Sequence, residues 1–457
     1  MDRMTLGWVA QALGLEAPDR GHVPITGVSI DTRSGCDGAL FIALRGERTD
    51  GHAFLGQAAA ANAAAAIVAR PDPVVNLPQL VVDDPLLALG KLARAYADRY
   101  KLVRIGVTGS VGKTSVRAMI GTILATRFAV CASLGNHNNE IGVPLTLLSL
   151  EGRHTALVTE LAMRGSGQIA YLAEMVQPSI GVITSIGVSH IELLGTRERI
   201  AQAKAELLDA LPRDGTAVLP ADDPYLSFLK ERAPADIRTF GFASAADFVC
   251  RASAPGPNGE ARFTVNGVGF EIGAPGVHHA RNGAAACAAA AALGLSVEDC
   301  AEALQGFRTP EMRMEALRAP GDILVLNDAY NAAPDSVRAA LDTLAETARA
   351  TGRRPIAVLG DMKELGAYVE DAHRQAIEAA DRSGVHLLVA VGSSMADAHA
   401  RAGSSAVAAV LYPDSTSAAD RIRRLVQAGD VVLVKGSRAM ELDRVVQRLM
   451  QGGEAEP

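Results

Sequence analysis

The chain has 457 residues, of which 49% are hydrophobic and 21% are charged. This is longer than a chain that folds around one ordinary hydrophobic core, and it favours roughly two to four domains. Its formal net charge of −7 argues against sequence-independent binding of nucleic acid, because that binding needs a basic face. The 5 cysteines include no Cys-x-x-Cys pair, a pattern that is typical of proteins in a reducing cytosol. It indicates neither a disulfide framework nor a zinc site.

The first 83 residues mix short β-like runs with an alanine-rich segment, residues 57–69, that is typical of helix. Residues 1–16 lack the basic region and apolar core of a signal peptide, and the alanine-rich runs are too short to span a bilayer. We therefore expect a cytoplasmic protein. A strand end followed by a break at residues 81–85 places the first domain boundary after residue 83.

A strand, a glycine loop and a helix then follow one another. A helix over residues 86–100 leads to an apolar strand at 102–107, which runs into Thr-Gly-Ser-Val-Gly-Lys-Thr-Ser (108–115) and an amphipathic helix at 116–124. In a phosphate-binding loop, backbone N–H groups and the helix N-terminus face the phosphates, the lysine neutralises them, and the hydroxyl that follows binds Mg²⁺. The alternative is a glycine turn with a surface lysine, since Val107 stands where the Gly-x-x-x-x-Gly-Lys-[Ser/Thr] pattern has its first glycine. We predict that ATP binds along the loop, at Gly109, Ser110, Val111, Gly112, Lys113, Thr114 and Ser115.

Candidate metal ligands follow two later strands. Glu160 ends the apolar run 156–160, which predicts a carboxylate at the carboxyl end of a strand, although a glutamate in solvent is the alternative. His190 follows the strand at 180–185 and is a candidate ligand of metal or phosphate, with a structural histidine as an equal alternative. Lys204 lies in a helical stretch, where a solvated surface lysine is the plain interpretation.

The C-terminal part has a regular rhythm of strands and helices. Residues 251–272 are glycine-rich and alternating, which predicts a small antiparallel excursion. Strands that alternate with helices predict a doubly wound sheet, at 323–326, 356–359, 387–391, 407–411 and 431–434. No Gly-x-Gly-x-x-Gly opens its first strand-to-helix turn, which argues against a dinucleotide site.

These motifs together resemble those of the Mur ligase family, over residues 28–438. The family's loop is Thr-Gly-x-x-Gly-Lys-Thr, which accounts for glycine at position 109. Residues 135–144 resemble its asparagine-rich loop, and residues 276–282 resemble its His-Asn-x-x-Asn segment, with His279 in place of an asparagine. Two further departures are Ala162 for glycine and His137 for an aromatic residue.

The resemblance is most specific in three C-terminal motifs and two upstream segments. Asp-Ala-Tyr-Asn-Ala-Ala-Pro-Asp-Ser, Gly-Asp-Met-Lys-Glu-Leu-Gly and Val-Lys-Gly-Ser-Arg are similar to motifs of the dipeptide-adding members, at 328–336, 360–366 and 434–438. Residues 31–33 and 46–52 look like a UDP-binding domain. The resemblance implies a monomeric, ATP-dependent ligase that joins D-alanyl-D-alanine to UDP-N-acetylmuramoyl-tripeptide through an acyl phosphate. The alternatives are another ligase of the superfamily, namely the third-residue-adding enzyme or a folylpolyglutamate synthetase, and a P-loop switch ATPase.

The resemblance also implies an α/β fold of three domains. These are a small α/β N-terminal domain that binds the UDP precursor (1–83), a central P-loop parallel-sheet ATPase domain (84–312), and a C-terminal Rossmann-like doubly wound domain that binds the dipeptide and closes over the nucleotide (313–457).

Roles for single residues come from the same resemblance. Lys204 aligns with a lysine that related ligases carry as a carbamate, which holds a second Mg²⁺. The catalytic residues would be Lys113, Glu160, His190, Lys204 and Arg313. The magnesium ligands would be Thr114, Glu160, His190 and Lys204. The nucleotide would also contact Asn282 through its adenine, together with Arg313, Asp328 and Asn331. The UDP-linked substrate would contact Ser29, Thr32, Arg33, Asp50, His52, Asn138 and Asn139.

Overall fold

A computed structural model describes residues 1–16, 18–46, 49–133, 135–189, 191–234, 236–256, 259–403 and 407–451. The chain forms two compact units. Unit 1 comprises Met1–Gly106, Arg127–Met163 and Ile169–Ser179, and unit 2 comprises Val107–Thr126, Arg164–Gln168 and Ile180–Pro457. Among the described residues, none of the helices has the length and apolar character that crossing a bilayer requires.

The α-helices, numbered in chain order, are α1 (Leu6–Ala12), α2 (Leu55–Ala60), α3 (Pro85–Ala97), α4 (Lys113–Leu124), α5 (Gly142–Leu148), α6 (Gln168–Val176), α7 (Ile191–Leu194), α8 (Arg197–Asp209), α9 (Leu226–Arg232), α10 (His278–Ala291), α11 (Val297–Ala303), α12 (Pro334–Thr351), α13 (Val369–Arg382), α14 (Ser393–Ala402), α15 (Ser415–Leu425) and α16 (Asp443–Met450).

The strands are β1 (Met4–Thr5), β2 (Pro24–Ile25), β3 (Gly27–Ser29), β4 (Ala39–Ile42), β5 (Ala65–Val68), β6 (Gln79–Val81), β7 (Val103–Thr108), β8 (Val130–Ala132), β9 (Ala156–Glu160), β10 (Ile180–Ile183), β11 (Thr216–Pro220), β12 (Asp236–Gly241), β13 (Phe248–Ala252), β14 (Ala261–Val265), β15 (Val268–Ile272), β16 (Glu315–Ala319), β17 (Ile323–Asp328), β18 (Pro355–Gly360), β19 (Leu387–Val391), β20 (Ala409–Tyr412) and β21 (Val431–Lys435).

Unit 1 contains a four-stranded parallel sheet in the order β3-β4-β5-β6. The prediction of helix throughout the alanine-rich segment is wrong for part of it, because α2 ends at Ala60 and β5 follows. All residues of β5 are buried between neighbouring strands, with Ile67 and Val68 at its end. Burial of these β-branched side chains in a sheet overrides the helix propensity of alanine.

The central part of unit 2 carries the strand order β15-β14-β13-β12-β11-β10. Neighbours from β10 to β13 are parallel, and β13-β14-β15 are antiparallel, which confirms the predicted antiparallel excursion. Helix α10 packs against this sheet and against α4. The run Ala284–Ala290 is fully buried, since side chains without bulk let the helix approach both neighbours closely.

The C-terminal sheet has the order β16-β17-β21-β18-β19-β20. All of its neighbours are parallel except the edge strand β16, which pairs antiparallel with β17. Helices cover both faces over two separate apolar cores, so the predicted doubly wound sheet is confirmed. Strand β16 was not predicted, because Glu315–Ala319 has neither an apolar run nor a regular alternation of apolar and polar residues.

The N-terminus of α14 in this sheet is already occupied by a carboxylate. Asp361, which is 2% exposed, accepts the N–H of Met395 at 2.9 Å, and the Lys363 ammonium lies 3.1 Å from its other oxygen. A β-carbon at Gly392 (φ +104°) would lie 2.5 Å from the carboxyl carbon of Asp361. A side-chain anion therefore occupies the positive N-terminal end of α14.

Candidate functional site

The phosphate loop joins β7 to α4 and depends on two glycines. Gly109 has a φ of +146°, and a β-carbon there would lie 1.9 Å from Thr184 Oγ1. Gly112 has a φ of +89°, and a β-carbon there would lie 2.8 Å from Asn282 Oδ1. The close approach of Asn282 places the predicted adenine-binding residue directly against the loop.

Lys113 is the first residue of α4 and bends back over the loop. Its ammonium donates to the carbonyl oxygen of Gly109 at 2.7 Å and lies 3.4 Å from that of Ser110. Thr114 and Ser115 follow in the first turn of the helix. One short segment therefore provides the positive end of the helix, an ammonium group and a hydroxyl group.

A second loop, residues 184–189 after β10, is bonded to the phosphate loop. The N–H of Ser110 donates to Ser185 O at 2.9 Å, and the N–H of Val111 donates to Ser185 Oγ at 3.1 Å. In return, Ser110 Oγ accepts the N–H of Gly187 at 2.8 Å. The two loops therefore hold each other in register.

The C-terminal sheet contributes a buried ion pair. Lys435, 2% exposed at the end of β21, donates to Asp328 Oδ2 at 2.6 Å and to Asn331 O at 2.9 Å. The other oxygen of Asp328 accepts the N–H of Met314 at 3.2 Å. Lys435 belongs to the Val-Lys-Gly-Ser-Arg motif, but we did not predict it as a site residue. Its partner is far away in the sequence, so no local pattern indicated the pairing.

Arg313 is held by an aromatic ring. Its guanidinium carbon lies 3.8 Å from the centroid of the Tyr330 ring, within the range of a cation–π contact. Such a stack limits the rotamers of a long side chain, so Arg313 is oriented before any ligand arrives.

These elements surround one cleft of about 410 Å³ in unit 2. Its lining includes the predicted nucleotide residues Ser110, Val111, Gly112, Lys113, Thr114, Ser115, Asn282, Arg313, Asp328 and Asn331. The lining also includes charged and histidine side chains that were not predicted as site residues, among them Arg197, Asp223, His278, Asp335, Arg338 and Lys435. The cleft thus combines backbone donors, cations and carboxylates, the groups that bind a nucleoside triphosphate.

Two histidines at the start of α10 are neutral near pH 7. Their rings stack with centroids 4.1 Å apart. Burial lowers the pKa of His278 to about 4, and burial together with His278 lowers the pKa of His279 well below its usual value. His279 is fully buried, and the backbone of Pro275 is a polar neighbour of its ring.

Lys204 is buried inside α8, so the interpretation as a solvated surface lysine is wrong. Lys204 is 2% exposed. Burial, followed by the nearby charge of Lys113, lowers the pKa of Lys204 well below its usual value. Helical periodicity places Lys204 four residues from both Ile200 and Leu208 on the buried face of α8. Because lysine is usually solvated, the residue type outweighed this spacing in the interpretation.

Glu160 and Asn138 belong to unit 1 and contact each other. Glu160 ends β9 with 2% exposure, so the alternative of a glutamate in solvent is wrong. Asn138 Nδ2 donates to Glu160 Oε1 at 2.8 Å. Asn139 has a structural contact, since its side-chain oxygen accepts the N–H of Gly142 at the start of α5, at 2.9 Å.

The predicted UDP contacts in unit 1 form local hydrogen bonds. Arg33 bonds to Asp31 and lowers the pKa of that carboxyl to about 2. Asp50 accepts both the N–H and the ring Nδ1–H of His52, at 3.0 and 2.7 Å. The hydroxyl groups of the other two predicted residues also donate hydrogen bonds. Ser29 donates to Asp31 O at 2.9 Å, and Thr32 donates to Gln57 Oε1 at 3.2 Å.

Three residues of the predicted motifs, Glu47, Arg48 and His190, lie outside the described residues. Within the described ranges, no group of three or more His, Cys, Asp or Glu side chains could hold a metal ion.

Three family descriptions match consecutive segments of the chain. "Mur ligase family, catalytic domain" matches residues 24–97, "Mur ligase middle domain" matches residues 107–290, and "Mur ligase, glutamate ligase domain" matches residues 312–438.

Two similar proteins share one name, UDP-N-acetylmuramoyl-tripeptide–D-alanyl-D-alanine ligase. The protein from Bacillus subtilis is 35% identical over 444 residues, which are 96% of this chain and 96% of that protein. The protein from Synechocystis is 37% identical over 434 residues, which are 94% of this chain and 92% of that protein.

Solved structures agree over a similar extent. MurF from Acinetobacter baumannii superposes with a TM-score of 0.89 at 29% identity and covers 99% of this chain and 100% of that one. MurF ligase from Thermotoga maritima, solved in complex with ADP, superposes with a TM-score of 0.79 at 27% identity and covers 93% and 96%. The three-domain α/β fold expected from the sequence is confirmed.

Proposed function

Because the chain belongs to the Mur ligase family, with relatives 35% and 37% identical over almost its whole length, we propose that it is the ATP-dependent ligase that joins D-alanyl-D-alanine to UDP-N-acetylmuramoyl-tripeptide. The products besides the amide are ADP and phosphate. The observation that carries the proposal is the cleft in which the phosphate loop meets the Asp-Ala-Tyr-Asn segment that starts at Asp328, in a chain similar throughout to ligases of that name.

The chemistry follows from the substrates. A carboxylate is a poor electrophile, so ATP first transfers its γ-phosphoryl group to the tripeptide carboxylate and leaves an acyl phosphate. The dipeptide amine then attacks the acyl carbon, and phosphate leaves from the tetrahedral intermediate. During this step, negative charge on the transferring phosphoryl group must be stabilised. The loop N–H groups, Lys113 and Arg313 provide that stabilisation.

Magnesium would neutralise the phosphate oxygens during this transfer. Its proposed ligands are Thr114, Glu160, His190 and Lys204, as the family resemblance implies. The Thr114 hydroxyl in the first turn of α4 and the buried carboxylate of Glu160 are the oxygen donors that a hard cation prefers.

Lys204 is proposed to react with CO₂ to give a carbamate, which the family resemblance also implies. Burial favours the neutral amine of Lys204 over its ammonium, and the nitrogen of the neutral amine adds to CO₂ with loss of one proton. The product is an anion, which suits a buried position beside the Lys113 ammonium better than a second cation does.

The remaining assignments extend the same proposal. The domains are residues 1–83, which bind the UDP precursor, residues 84–312, which bind ATP, and residues 313–457, which bind the dipeptide and close over the nucleotide. The precursor is bound by Ser29, Thr32, Arg33, Asp50, His52, Asn138 and Asn139. The protein acts as a monomer in the cytoplasm, where the nucleotide-linked precursor is made.

The test is phosphate release by the full-length protein with ATP, each UDP-tripeptide and D-alanyl-D-alanine. We expect release that requires both the tripeptide and the dipeptide, with either diaminopimelate or lysine as the preferred third residue. Hydrolysis that is independent of both substrates would support a P-loop switch ATPase instead. Ligation of a single amino acid to a shorter precursor would indicate another ligase of the superfamily.

A further inference from the structure

Two charged side chains outside the phosphate loop bind the two ends of one residue, Ile186. Asp223 Oδ2 accepts the N–H of Ile186 at 2.8 Å. The Arg197 guanidinium donates to Ile186 O at 2.6 Å from Nη2 and at 3.1 Å from Nε. Ile186 is 1% exposed and Asp223 is 8% exposed, so water competes little for these bonds.

Tyr225 connects the two charged groups. Its N–H donates to Asp223 Oδ1 at 3.1 Å, so both oxygens of this carboxylate are occupied by backbone donors. The Arg197 guanidinium lies 5.4 Å from the centroid of the Tyr225 ring, and the Tyr225 hydroxyl donates to Glu198 at 2.8 Å. Arg197, Asp223 and Tyr225 form one arrangement, which we call the Ile186 clamp.

The residues on both sides of Ile186 bind the phosphate loop. Ser185 accepts from the N–H groups of Ser110 and Val111, and Gly187 donates to Ser110 Oγ. Movement of Ile186 would therefore move the hydrogen-bond partners of two loop residues. A β-carbon at Gly187 would also lie 2.8 Å from a carboxylate oxygen of Asp335, so the loop is confined from the C-terminal side as well.

We propose that Arg197 and Asp223 are positioning residues for ATP binding, which act through Ile186 to hold residues 185–187 against the phosphate loop. The inference rests on the proposed function for its choice of ATP as the ligand. Backbone donors that are fixed before the phosphates arrive stabilise the charge of the transferring phosphoryl group without having to reorganise. Small displacements of such donors weaken binding and slow the reaction. Neither side chain needs to touch the nucleotide for this role.

The sign of the Asp223 effect separates positioning from simple electrostatics. Asp223→Asn removes a negative charge from the lining of a cleft that binds phosphates, so charge alone predicts tighter nucleotide binding. Positioning predicts weaker binding, because an amide cannot accept hydrogen bonds at both of its ends and one of the two backbone donors loses its partner.

The experiment measures ADP binding by calorimetry and steady-state ligation with the full-length protein. Asp223→Asn and Arg197→Met should each raise the Kd for ADP and the KM for ATP about tenfold and leave the KM for D-alanyl-D-alanine unchanged. Arg197→Lys should be intermediate, since one ammonium keeps one bond to Ile186 O. The matched controls are Arg199→Met, on the exposed side of the same helix, and Asp222→Asn, which removes a charge one residue away without contacting Ile186.

Amide hydrogen exchange provides a readout that does not depend on turnover. The amides of Ile186 and Gly187 should exchange faster in Asp223→Asn than in the wild type, while those of α10 should not. If Asp223→Asn does not fold, Arg197→Met carries the test, because Arg197 is only partly buried.

Unchanged or tighter ADP binding in Asp223→Asn, or an equal rise of the KM for every substrate with a lower melting temperature, overturns the inference. A wild-type protein that binds ADP but does not ligate the dipeptide overturns the proposed function alone, since the ADP titrations of the variants still report on the clamp.

Discussion

At the scale of single residues, Lys204 shows how burial changes the chemistry of a side chain. A lysine that is 2% exposed cannot keep its ammonium hydrated, and the charge of Lys113 lowers its pKa further. Burial therefore shifts the equilibrium of this side chain toward the neutral amine, which is the nucleophilic form. The carbamate proposed for it would restore charge of the opposite sign, at the cost of one released proton.

Replacement of Lys204 tests this chemistry. Lys204→Met keeps the packing of the side-chain methylenes but cannot form a carbamate, so ligation should fall by about 10²-fold or more without loss of folding. Lys204→Ala should be equally inactive and should recover part of its activity in acetate, which occupies the vacated space. The exposed Lys230→Ala is the control. In ¹³C-labelled bicarbonate, the wild type should show a carbamate carbon signal, and its absence together with full activity of Lys204→Ala would rule out the modification.

His279 predicts a specific dependence of stability on pH. The folded protein keeps this ring neutral, whereas the unfolded chain protonates it near the ordinary histidine pKa of 6.5. The unfolded state therefore binds more protons as the pH falls, so this residue's contribution destabilises the fold below about pH 6.5, with a slope of up to about 1.4 kcal/mol per pH unit.

The measurement is the free energy of unfolding by urea between pH 7.5 and pH 5. His279→Asn, which introduces the residue that the family usually has, should flatten the decline of stability below pH 6.5, while His278 keeps its own contribution. Exposed His22→Asn controls for the loss of a histidine. An unchanged slope in His279→Asn would mean that its ring is protonated in the folded protein.

At the scale of elements, α4 requires the glycine that precedes it and only tolerates the glycine inside it. Gly112 precedes the helix with a φ of +89°, and a β-carbon there would lie 2.8 Å from Asn282. Gly121 lies inside the helix, and a β-carbon there would meet no atom within 4 Å. The same substitution at these two positions therefore has opposite consequences.

Gly112→Ala should weaken ADP binding about tenfold or more and cost about 1–2 kcal/mol of stability, because alanine is strained at this φ and displaces Asn282. Gly121→Ala should raise the free energy of unfolding by about 0.5–1 kcal/mol and leave ADP binding unchanged, since alanine loses less backbone entropy in a helix. Calorimetric ADP titration and urea unfolding measure both effects. Equal ADP affinities in the two variants would contradict the role given to the loop geometry.

Another element-scale feature is the pairing of a buried carboxylate with a helix end in the C-terminal sheet. The N-terminus of α14 carries positive potential, and Asp361 already satisfies it with a buried carboxylate. The nucleotide cleft lies instead where the phosphate loop faces Arg313 and the end of β17. The fold of this domain therefore supports the site without providing its phosphate loop.

At the scale of the whole molecule, the cleft in unit 2 predicts coupled protection on nucleotide binding. Its lining comes both from residues 110–115 and from residues of the C-terminal sheet, with Arg313 oriented by Tyr330. Hydrogen exchange with and without a non-hydrolysable ATP analogue and UDP-tripeptide should show added protection in both regions. Protection of the phosphate loop alone would contradict the closure of residues 313–331 onto ATP.

The sequence by itself determined the features that depend on neighbouring residues. The phosphate loop, its flanking strand and helix, the alternating strands of the C-terminal sheet and the antiparallel excursion all follow from spacing and periodicity within short windows. The family motifs indicated the ligase function for the same reason, since each motif is a continuous segment whose chemistry requires its residues at fixed spacing.

Only the tertiary structure decided which side chains are buried and which distant residues meet. The spacing places Lys204 on the apolar face of α8, but only packing shows that its side chain is removed from water. Lys435 reaches Asp328 across 107 positions, and Arg197 and Asp223 both bind Ile186 and both contact Tyr225. The energy of such contacts depends on desolvation and distance in space, and no window of the sequence contains either quantity.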